Sequence, residues 1–151
     1  MSRVYNTKIM RDRWNNIIID DAEIIFRNFS GERDRNGNHT FSVVIPDAEL
    51  AQELAEEGWN VKIWTSGDEP IHHIPVTVRF DVYPPEVITI TKKKNKLNEE
   101  TIGTLDDAEI KMVDLTIRPR RWDGGIKAYL KEGWFTIEES IFQDKYADIP
   151  W

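Results

Sequence analysis

The 151-residue sequence contains no cysteine. A chain without cysteine has no disulfide, no thiolate metal ligand and no thiol nucleophile, which is typical of a reducing intracellular compartment. The sequence also lacks an apolar run long enough to span a membrane, and its first 16 residues lack the hydrophobic stretch of a secretory signal. We therefore expect a protein of the cytoplasm that does not enter a membrane.

The motifs of common catalytic sites are also missing. The sequence has no phosphate-binding loop, no nucleophile elbow and no zinc-ligand spacing. His72 and His73 are adjacent, so on a strand they point to opposite faces and are poorly placed to bind one ion; His39 is distant in the sequence. We expect no enzyme, no metal and no cofactor, with a carboxylate–metal nuclease as a remote alternative.

The charge is acidic overall but unevenly distributed. The net charge is −7, which argues against a uniformly basic surface and says nothing about local patches. Residues 111–131 contain six Lys/Arg and two Asp/Glu, whereas residues 132–151 contain one Lys and five Asp/Glu. With 40% hydrophobic residues, the chain is long enough for one folded domain. We expect that domain to span residues 1–143, followed by an acidic tail, 144–151.

Alternating hydrophobicity predicts a mainly β protein with one principal helix over about residues 47–57. Asp47 is the expected N-cap of this helix and Gly58 the expected stop, with a short helical turn near Thr104. The polar stretch Lys92–Asp107 is predicted to be a long, mobile loop. Many short strands favour a small closed barrel. The predicted strands are Ile24–Phe29, Phe41–Ile45, Trp59–Trp64, Val76–Tyr83, Val87–Thr91, Met112–Arg118 and Ile126–Trp134, continuing towards Ile137.

The predicted strands place basic and aromatic side chains together on their outward faces, because successive residues point to opposite sides. The apolar set of each strand is assigned to the core, including Ile63 and Val82. A loop reading "RPRRWDGG" joins two of the strands. The outward and loop residues that combine cations with rings are Lys62, Trp64, Arg79, Tyr83, Arg118, Arg120, Arg121, Trp122, Lys127, Tyr129 and Lys131.

Cations interleaved with aromatic rings are typical of a groove for single-stranded nucleic acid. Unpaired bases stack on rings and phosphates bind cations, whereas a duplex exposes no base faces. We predict stacking by Trp64, Trp122, Tyr83 and Tyr129, and phosphate contacts by the Lys and Arg residues of the same set. The alternative is that the rings pack under loops or in the interface of a homo-oligomer, with the lysine stems lying around them.

The sequence ends in Asp148, Ile149, Pro150 and Trp151. This tetrapeptide resembles the extreme C-terminus of bacterial single-stranded DNA-binding proteins, which ends in Asp-Ile-Pro and an aromatic residue. The resemblance implies that the tail recruits replication, recombination and repair proteins to coated DNA. Proline stiffens such a peptide, the ring fills a pocket, and the carboxylates meet basic residues of a partner.

The body of the chain resembles the single-stranded DNA-binding proteins of bacteriophages, with an oligonucleotide-binding (OB)-type barrel, inserted strands and loops, and an acidic end. In that fold the helix follows the third strand. We therefore expect the first barrel strand within residues 4–19; starting the barrel at Ile24–Phe29 would put the helix one strand too early. The predicted function is sequence-independent binding and protection of single-stranded DNA in a bacterial host cell. The alternative is a phage protein-interaction or inhibitor module that does not bind DNA.

Overall fold

The computed structural model describes residues 6–65, 67 and 69–138. The predicted tail residues Asp148, Ile149, Pro150 and Trp151 lie outside the described residues. Within the described part the chain forms ten strands, one α-helix and one 3-10 turn, Ile102–Asp106. These elements are β1 (Lys8–Arg11), β2 (Ile17–Asp20), β3 (Ile24–Asn28), β4 (His39–Val44), α1 (Ala48–Glu57), β5 (Lys62–Trp64), β6 (Ile71–Val78), β7 (Glu86–Ile90), β8 (Lys94–Leu97), β9 (Ile110–Trp122) and β10 (Gly125–Ile137).

Helix α1 has the caps that the sequence predicts. The Asp47 carboxylate accepts hydrogen bonds from the backbone N–H groups of Glu49 and Leu50, at 2.9 and 3.3 Å. Gly58 ends the helix in the left-handed conformation, with φ of 113°. Ala51 and Leu54 bury the apolar stripe in the core. Across residues 6–138, apart from 66 and 68, no helix has the length and apolarity needed to cross a membrane.

The strands form one sheet that curves into a barrel. Its main path runs β1–β2–β9–β10–β6–β4–β3, with β6 and β10 parallel. The link between β2 and β3 hydrogen-bonds to both β9 and β4: Ala22 N–H donates to the Val113 carbonyl at 2.7 Å, and the Glu23 carbonyl accepts from Val44 N–H at 2.9 Å. Residues 17–28 therefore act as one bent strand, and the predicted OB-like fold is confirmed as a partly open barrel.

The barrel starts later in the chain than we predicted. The strand that closes it is residues 17–28, bent at Asp21 with φ of 52°. Around the barrel, β4, β6, β10 and β9 follow in spatial order. Helix α1 thus lies between the second and third barrel strands, so the prediction of a first strand within residues 4–19 is wrong. That region instead contains β1 and β2, which pair as a hairpin, and only β2 joins the barrel.

The core follows the predicted alternation on the long strands. Val113, Leu115 and Ile117 of β9 are at most 3% exposed. Two inward assignments are wrong: Ile63 is 60% exposed and Val82 is 46% exposed. Strand β5 is only three residues long, and β6 ends at Val78, so neither side chain has a second layer to pack against.

The segment 92–107 is anchored, contrary to our prediction of a mobile loop. Strand β8 pairs with β7, and Ile102 and Leu105 are fully buried. The Asp106 carboxylate accepts hydrogen bonds from the backbone N–H groups of Phe29 and Ser30 at 2.7 and 3.0 Å. The 3-10 turn begins after Thr101, and Thr104 lies inside it rather than capping it. Burial of these two apolar side chains is enough to anchor the polar segment to the core.

Candidate nucleic-acid interface

The basic motif "RPRRWDGG" lies mostly on a strand and not in a loop. Strand β9 continues to Trp122, which pairs with Gly125 of β10 across a two-residue turn. Gly125 has φ of 133°, and a Cβ there would lie 2.6 Å from the Gly58 carbonyl oxygen. The Trp122 ring lies over Gly124, where a Cβ would approach the ring to 2.2 Å. Glycine at both positions lets the hairpin turn tightly beside the end of α1.

Register places four of the predicted residues on one face of this hairpin. Arg118 pairs with Tyr129, and Arg120 pairs with Lys127. Directly opposed residues share a face, and Ile117 of the alternate set is buried in the core, so these side chains lie on the outer face. Trp122 lies on that face too, two residues beyond Arg120, and is 64% exposed.

Arg121 points away from this face, which separates it from the other residues of the predicted DNA-binding set. Its cross-strand partner is Ile126, a core residue. Its charge also reaches Glu57 at the end of α1. A hydrogen bond from Arg11 lowers the pKa of the Glu57 carboxyl most, and the charge of Arg121 lowers it further. Alternation along β9 therefore separates the adjacent residues Arg120 and Arg121 onto opposite faces.

The outer face continues across the barrel from β10 to β4. Tyr129 pairs with Thr77 of β6, and Thr77 pairs with Thr40 of β4. A cavity above this row is lined by residues of β6 and β10, by the loops before β4 and after β6, and by Glu99. We call this cavity and its extension towards Arg118 the Tyr129 groove; its lining residues include Gly37, Asn38, Thr77, Arg79, Asp81, Tyr83, Arg118, Arg120, Lys127 and Tyr129.

Tyr129 is the centre of the groove, but its ring is not open to stacking. It is only 5% exposed, because cations cover it. The distances from its ring centroid are 5.6 Å to Arg118 Cζ, 6.0 Å to Arg120 Cζ and 5.4 Å to Lys127 Nζ. Burial alone would raise the pKa of Tyr129, but the charge of Lys127 and hydrogen bonds from Arg120, Lys127 and Arg79 lower it overall. The predicted exposed stacking face of Tyr129 is therefore wrong for this structure.

Tyr83 is the open ring of the groove. It is 74% exposed and has a φ of 50°, unusual for a non-glycine residue. Arg118 Cζ lies 5.0 Å from its ring centroid, so the same guanidinium contacts both Tyr83 and Tyr129. Arg79 lines the same cavity as Tyr83 and forms an ion pair with Asp81, with Arg79 Nε 2.7 Å from Asp81 Oδ1. An exposed ring beside cations is the arrangement that base stacking with phosphate contact requires.

Lys62 and Trp64 lie on the same outer face, further along the barrel. On β5 they pair with His73 and Ile71 of β6. Trp64 is 40% exposed and meets Phe26 edge to face, with ring centroids 5.3 Å apart. Phe26 is half exposed and contacts His73 at the same centroid distance.

Our sequence analysis did not include Phe26 in the site, because it named Ile24–Phe29 as a strand without separating its two faces. A register shift between Ile25 and Asn28 turns it outward, with φ of 53°. Without a glycine at the bulge, no residue type in this stretch marks that turn. The outer face therefore has a second aromatic cluster at its far end, formed by Phe26, Trp64 and His73.

The model of the phage ssDNA-binding domain family matches residues 6–151, nearly the whole chain. The chain belongs to that family. No curated protein matches the sequence.

Solved structures similar to this member of the phage ssDNA-binding domain family come from bacteriophage Enc34. Its single-stranded DNA-binding protein in complex with ssDNA has a TM-score of 0.56 and 13% identity, covering 93% of this chain and 95% of that one. The same protein alone has a TM-score of 0.54 and 13% identity, covering 93% and 89%. A C-terminal truncation of the Enc34 protein has a TM-score of 0.51 and 11% identity, covering 92% of this chain and 99% of that one. At these identities the likeness shows a shared fold.

Lys131 of this family member lies outside the Tyr129 groove. It falls at the register shift between Leu130 and Glu132 of β10, which breaks the alternation that placed it beside Tyr129. It lines a shallow cavity with Trp14, Asn16, Arg118 and Pro119. Trp14 was absent from our predicted site because residues 12–16 have no strand pattern.

The described residues of this family member contain no group of three or more His, Cys, Asp or Glu side chains placed to hold a metal ion. His72 and His73 are consecutive on β6 and point to opposite faces. His73 is 6% exposed, and its Nδ1 has no hydrogen-bond partner among the residues described. Burial lowers the pKa of His73, and the nearby charge of Lys62 lowers it further.

Proposed function

We propose that this protein binds single-stranded DNA, without sequence preference, along the outer face of β9, β10, β6 and β5. The observation that carries the proposal is the Tyr129 groove, where Arg118, Arg120, Lys127 and Arg79 converge on one tyrosine. Membership of the phage ssDNA-binding domain family supports it. The Enc34 protein of the same fold was solved in complex with ssDNA, which also supports it.

Each part of the outer face has a defined task in this proposal. Tyr83, Trp122 and Trp64 are exposed and offer ring faces to unpaired bases, which stack on them irrespective of base identity. The cations of the Tyr129 groove bind phosphates, and Lys62 does the same beside Trp64. The Tyr129 side chain lies beneath these cations and holds them in position. A duplex hides its base faces, so the protein binds single strands in preference and shifts hairpins towards the unpaired state by mass action.

The direct test is a titration with oligo-dT followed by tryptophan fluorescence. Stacking on Trp122 and Trp64 quenches the emission, and the affinity falls as the salt concentration rises, because bound phosphates release counterions. A flat titration at low salt would overturn DNA binding and favour the alternative of a protein-interaction or inhibitor module.

Neighbouring arginines on β9 provide a matched pair of variants. Arg120→Ala removes one cation from the groove, so we expect weaker oligo-dT binding and a salt slope smaller by about one. Arg121→Ala removes the same charge one residue away, but from the opposite face, so we expect little change. Equal losses in both variants would mean that general charge, and not this face, holds the DNA.

We further propose that the protein protects single strands during phage replication and recombination in the cytoplasm of a bacterial host. In this proposal the terminal residues Asp148–Trp151 recruit partner proteins, on the basis of their resemblance to bacterial single-stranded DNA-binding proteins. Deleting residues 144–151 should abolish capture of host replication proteins on a DNA-coated column and leave oligo-dT binding intact. Undiminished capture would overturn the role of the tail without affecting the DNA-binding proposal.

A further inference from the structure

An exposed tryptophan is fixed on a rigid turn just outside the Tyr129 groove. Trp14 is 64% exposed, an unusually open position for so large an apolar side chain. The Asp12 carboxylate accepts hydrogen bonds from the backbone N–H groups of Trp14 and Asn16, each at 2.9 Å, and from Asn16 Nδ2 at 2.9 Å. Asn15 takes a left-handed conformation, with φ of 67°. The turn therefore holds the indole outward in a defined position.

The surroundings of Trp14 are cationic. Arg13 Cζ lies over the indole, 4.2 Å from the ring centroid. Lys131 and Arg118 line the same shallow cavity as Trp14, together with Asn16 and Pro119. Asp12 is the nearby acid, and both of its oxygens already accept hydrogen bonds within the turn. An open ring with cations on its flanks repeats the chemistry of Tyr83 and Arg118.

Arg118 connects this cavity to the Tyr129 groove. Ile17 pairs with Ile117, so the preceding residue, Asn16, lies level with Arg118 at the edge of β9. The Arg118 guanidinium contacts the rings of Tyr83 and Tyr129 on one side, and Arg118 lines the Trp14 cavity on the other. A strand leaving the groove over Arg118 therefore arrives at Trp14.

We propose that Trp14, Arg13 and Lys131 form a further nucleotide subsite, which extends the path of single-stranded DNA past Arg118. A base stacks on the open face of Trp14, and Arg118 and Lys131 bind the phosphates on either side of it. This inference rests on the proposed function, because it concerns the length of the same DNA path. It predicts that Trp14 matters for long oligonucleotides and not for short ones.

The test measures affinity for oligo-dT of increasing length, from about 4 to about 16 nucleotides, the range of site sizes for one OB fold. In the unmodified protein, affinity should rise by a further step when the strand becomes long enough to reach Trp14. Trp14→Ala should remove that step. The affinity for long oligonucleotides should fall roughly 5- to 100-fold, the contribution of one stacked base, and the affinity for short ones should be unchanged. Trp14→Phe should retain the step, because phenylalanine also offers a flat ring.

Control variants separate this subsite from general effects. Met112 is 46% exposed on the distant part of β9, so Met112→Ala should leave all lengths unchanged. Lys131→Gln should selectively lower the affinity for long oligonucleotides. Lys111→Gln removes the same charge near the start of β9 and should not have this effect. A thermal melt of each variant checks that the fold is intact.

Two results would overturn the Trp14 subsite. Trp14→Ala could leave the length dependence unchanged while oligo-dT still binds, which would mean that the DNA path does not include Trp14. It could instead weaken short and long oligonucleotides equally, which would mean that Trp14 acts through the main groove. Failure of the unmodified protein to bind any oligo-dT would overturn the proposed function and the subsite together.

Discussion

At the scale of single residues, Tyr129 has the most specific role in the groove. Lys127, Arg120 and Arg79 act on its hydroxyl and lower the pKa of Tyr129, while its ring lies under Arg118. In the proposed site, a phenol that holds several cations fixes where phosphates bind without contacting a base. We propose that Tyr129 acts as a positioning residue through its hydroxyl more than through its ring area.

Tyr129→Phe distinguishes this role from stacking. Loss of the hydroxyl should release the cations it holds and weaken oligo-dT binding by about 1 kcal/mol, roughly fivefold, by equilibrium titration. Tyr83→Phe is the matched control, because its exposed ring stacks equally well without the hydroxyl. Full affinity in the Tyr129 variant would show that its ring, and not its hydroxyl, serves the site.

His73 predicts a pH dependence of stability. Burial and Lys62 hold its pKa in the folded protein below the ordinary value of 6.5. The unfolded chain therefore binds the proton more readily, so the free energy of unfolding should fall as pH drops below about 6.5. Urea melts between pH 7 and pH 5 measure this fall. His73→Phe keeps a ring against Phe26 and should flatten the curve; an unchanged slope would assign the effect to other groups.

Sequence reasoning succeeded for residues whose surroundings are regular. Arg118 and Lys127 lie outward as predicted, because β9 and β10 alternate without interruption around them. It failed where the backbone departs from the pattern, as at the bulge that turns Phe26 outward and the shift that displaces Lys131. The covering of Tyr129 was also unpredictable, because it depends on three long side chains from different positions meeting over one ring.

At the scale of elements, the β9–β10 hairpin depends on its close approach to the end of α1. Ile126 N–H donates to the Gly58 carbonyl at 2.8 Å, and Gly125 lies against the same carbonyl oxygen. Docking the hairpin base on the helix end sets where Trp122, Arg120 and Lys127 stand relative to the barrel.

Gly125→Ala should therefore be costly. The added Cβ would lie 2.6 Å from the Gly58 oxygen, at a φ of 133° that alanine rarely adopts. We expect a loss of roughly 1–3 kcal/mol in the free energy of unfolding, measured by chemical denaturation, together with weaker DNA binding as the hairpin shifts. Gly67→Ala is the control, since a Cβ there meets no atom within 4 Å. Equal stability of the two variants would contradict the tight docking.

The helix was predictable and the first barrel strand was not, for a local reason. Asp47 and Gly58 signal the ends of α1 through side-chain and backbone chemistry that acts within a few residues. The bend that joins β2 to β3 occurs at Asp21, a non-glycine residue with positive φ, and nothing nearby marks it. Whether residues 17–28 form one strand or two depends on Val113 and Val44, which are distant in sequence.

At the scale of the whole molecule, an acidic protein carries a basic binding face. The net charge of −7 coexists with a local excess of Lys and Arg in residues 111–131. Repulsion between the remaining acidic surface and DNA would restrict binding to the proposed basic face, and this charge pattern favours a defined orientation on the strand. The mainly β fold could be anticipated from alternation and the family from its resemblance to known single-stranded DNA-binding proteins, whereas the proposed path of the DNA required the register of the sheet.

Binding of DNA to the folded state should raise thermal stability. At about one hundred times Kd, a ligand that binds only the folded chain adds about 2.7 kcal/mol, which for a domain of this size raises Tm by roughly 5–10 °C. Oligo-dT should produce this rise in a differential scan, and a duplex of equal length should produce a much smaller one. A rise as large with duplex would contradict the preference for unpaired bases.

The ion pair between Arg79 and Asp81 has a consequence for how the protein releases DNA. An arginine that already has a carboxylate partner meets an incoming phosphate by exchange, with one anion replacing another. On the proposed DNA path, Asp81 pairs with Arg79 again when the strand departs, so the guanidinium regains an anionic partner. In Asp81→Asn that replacement would be gone, and the protein should hold its strand longer and hand it over to a competing polymerase more slowly.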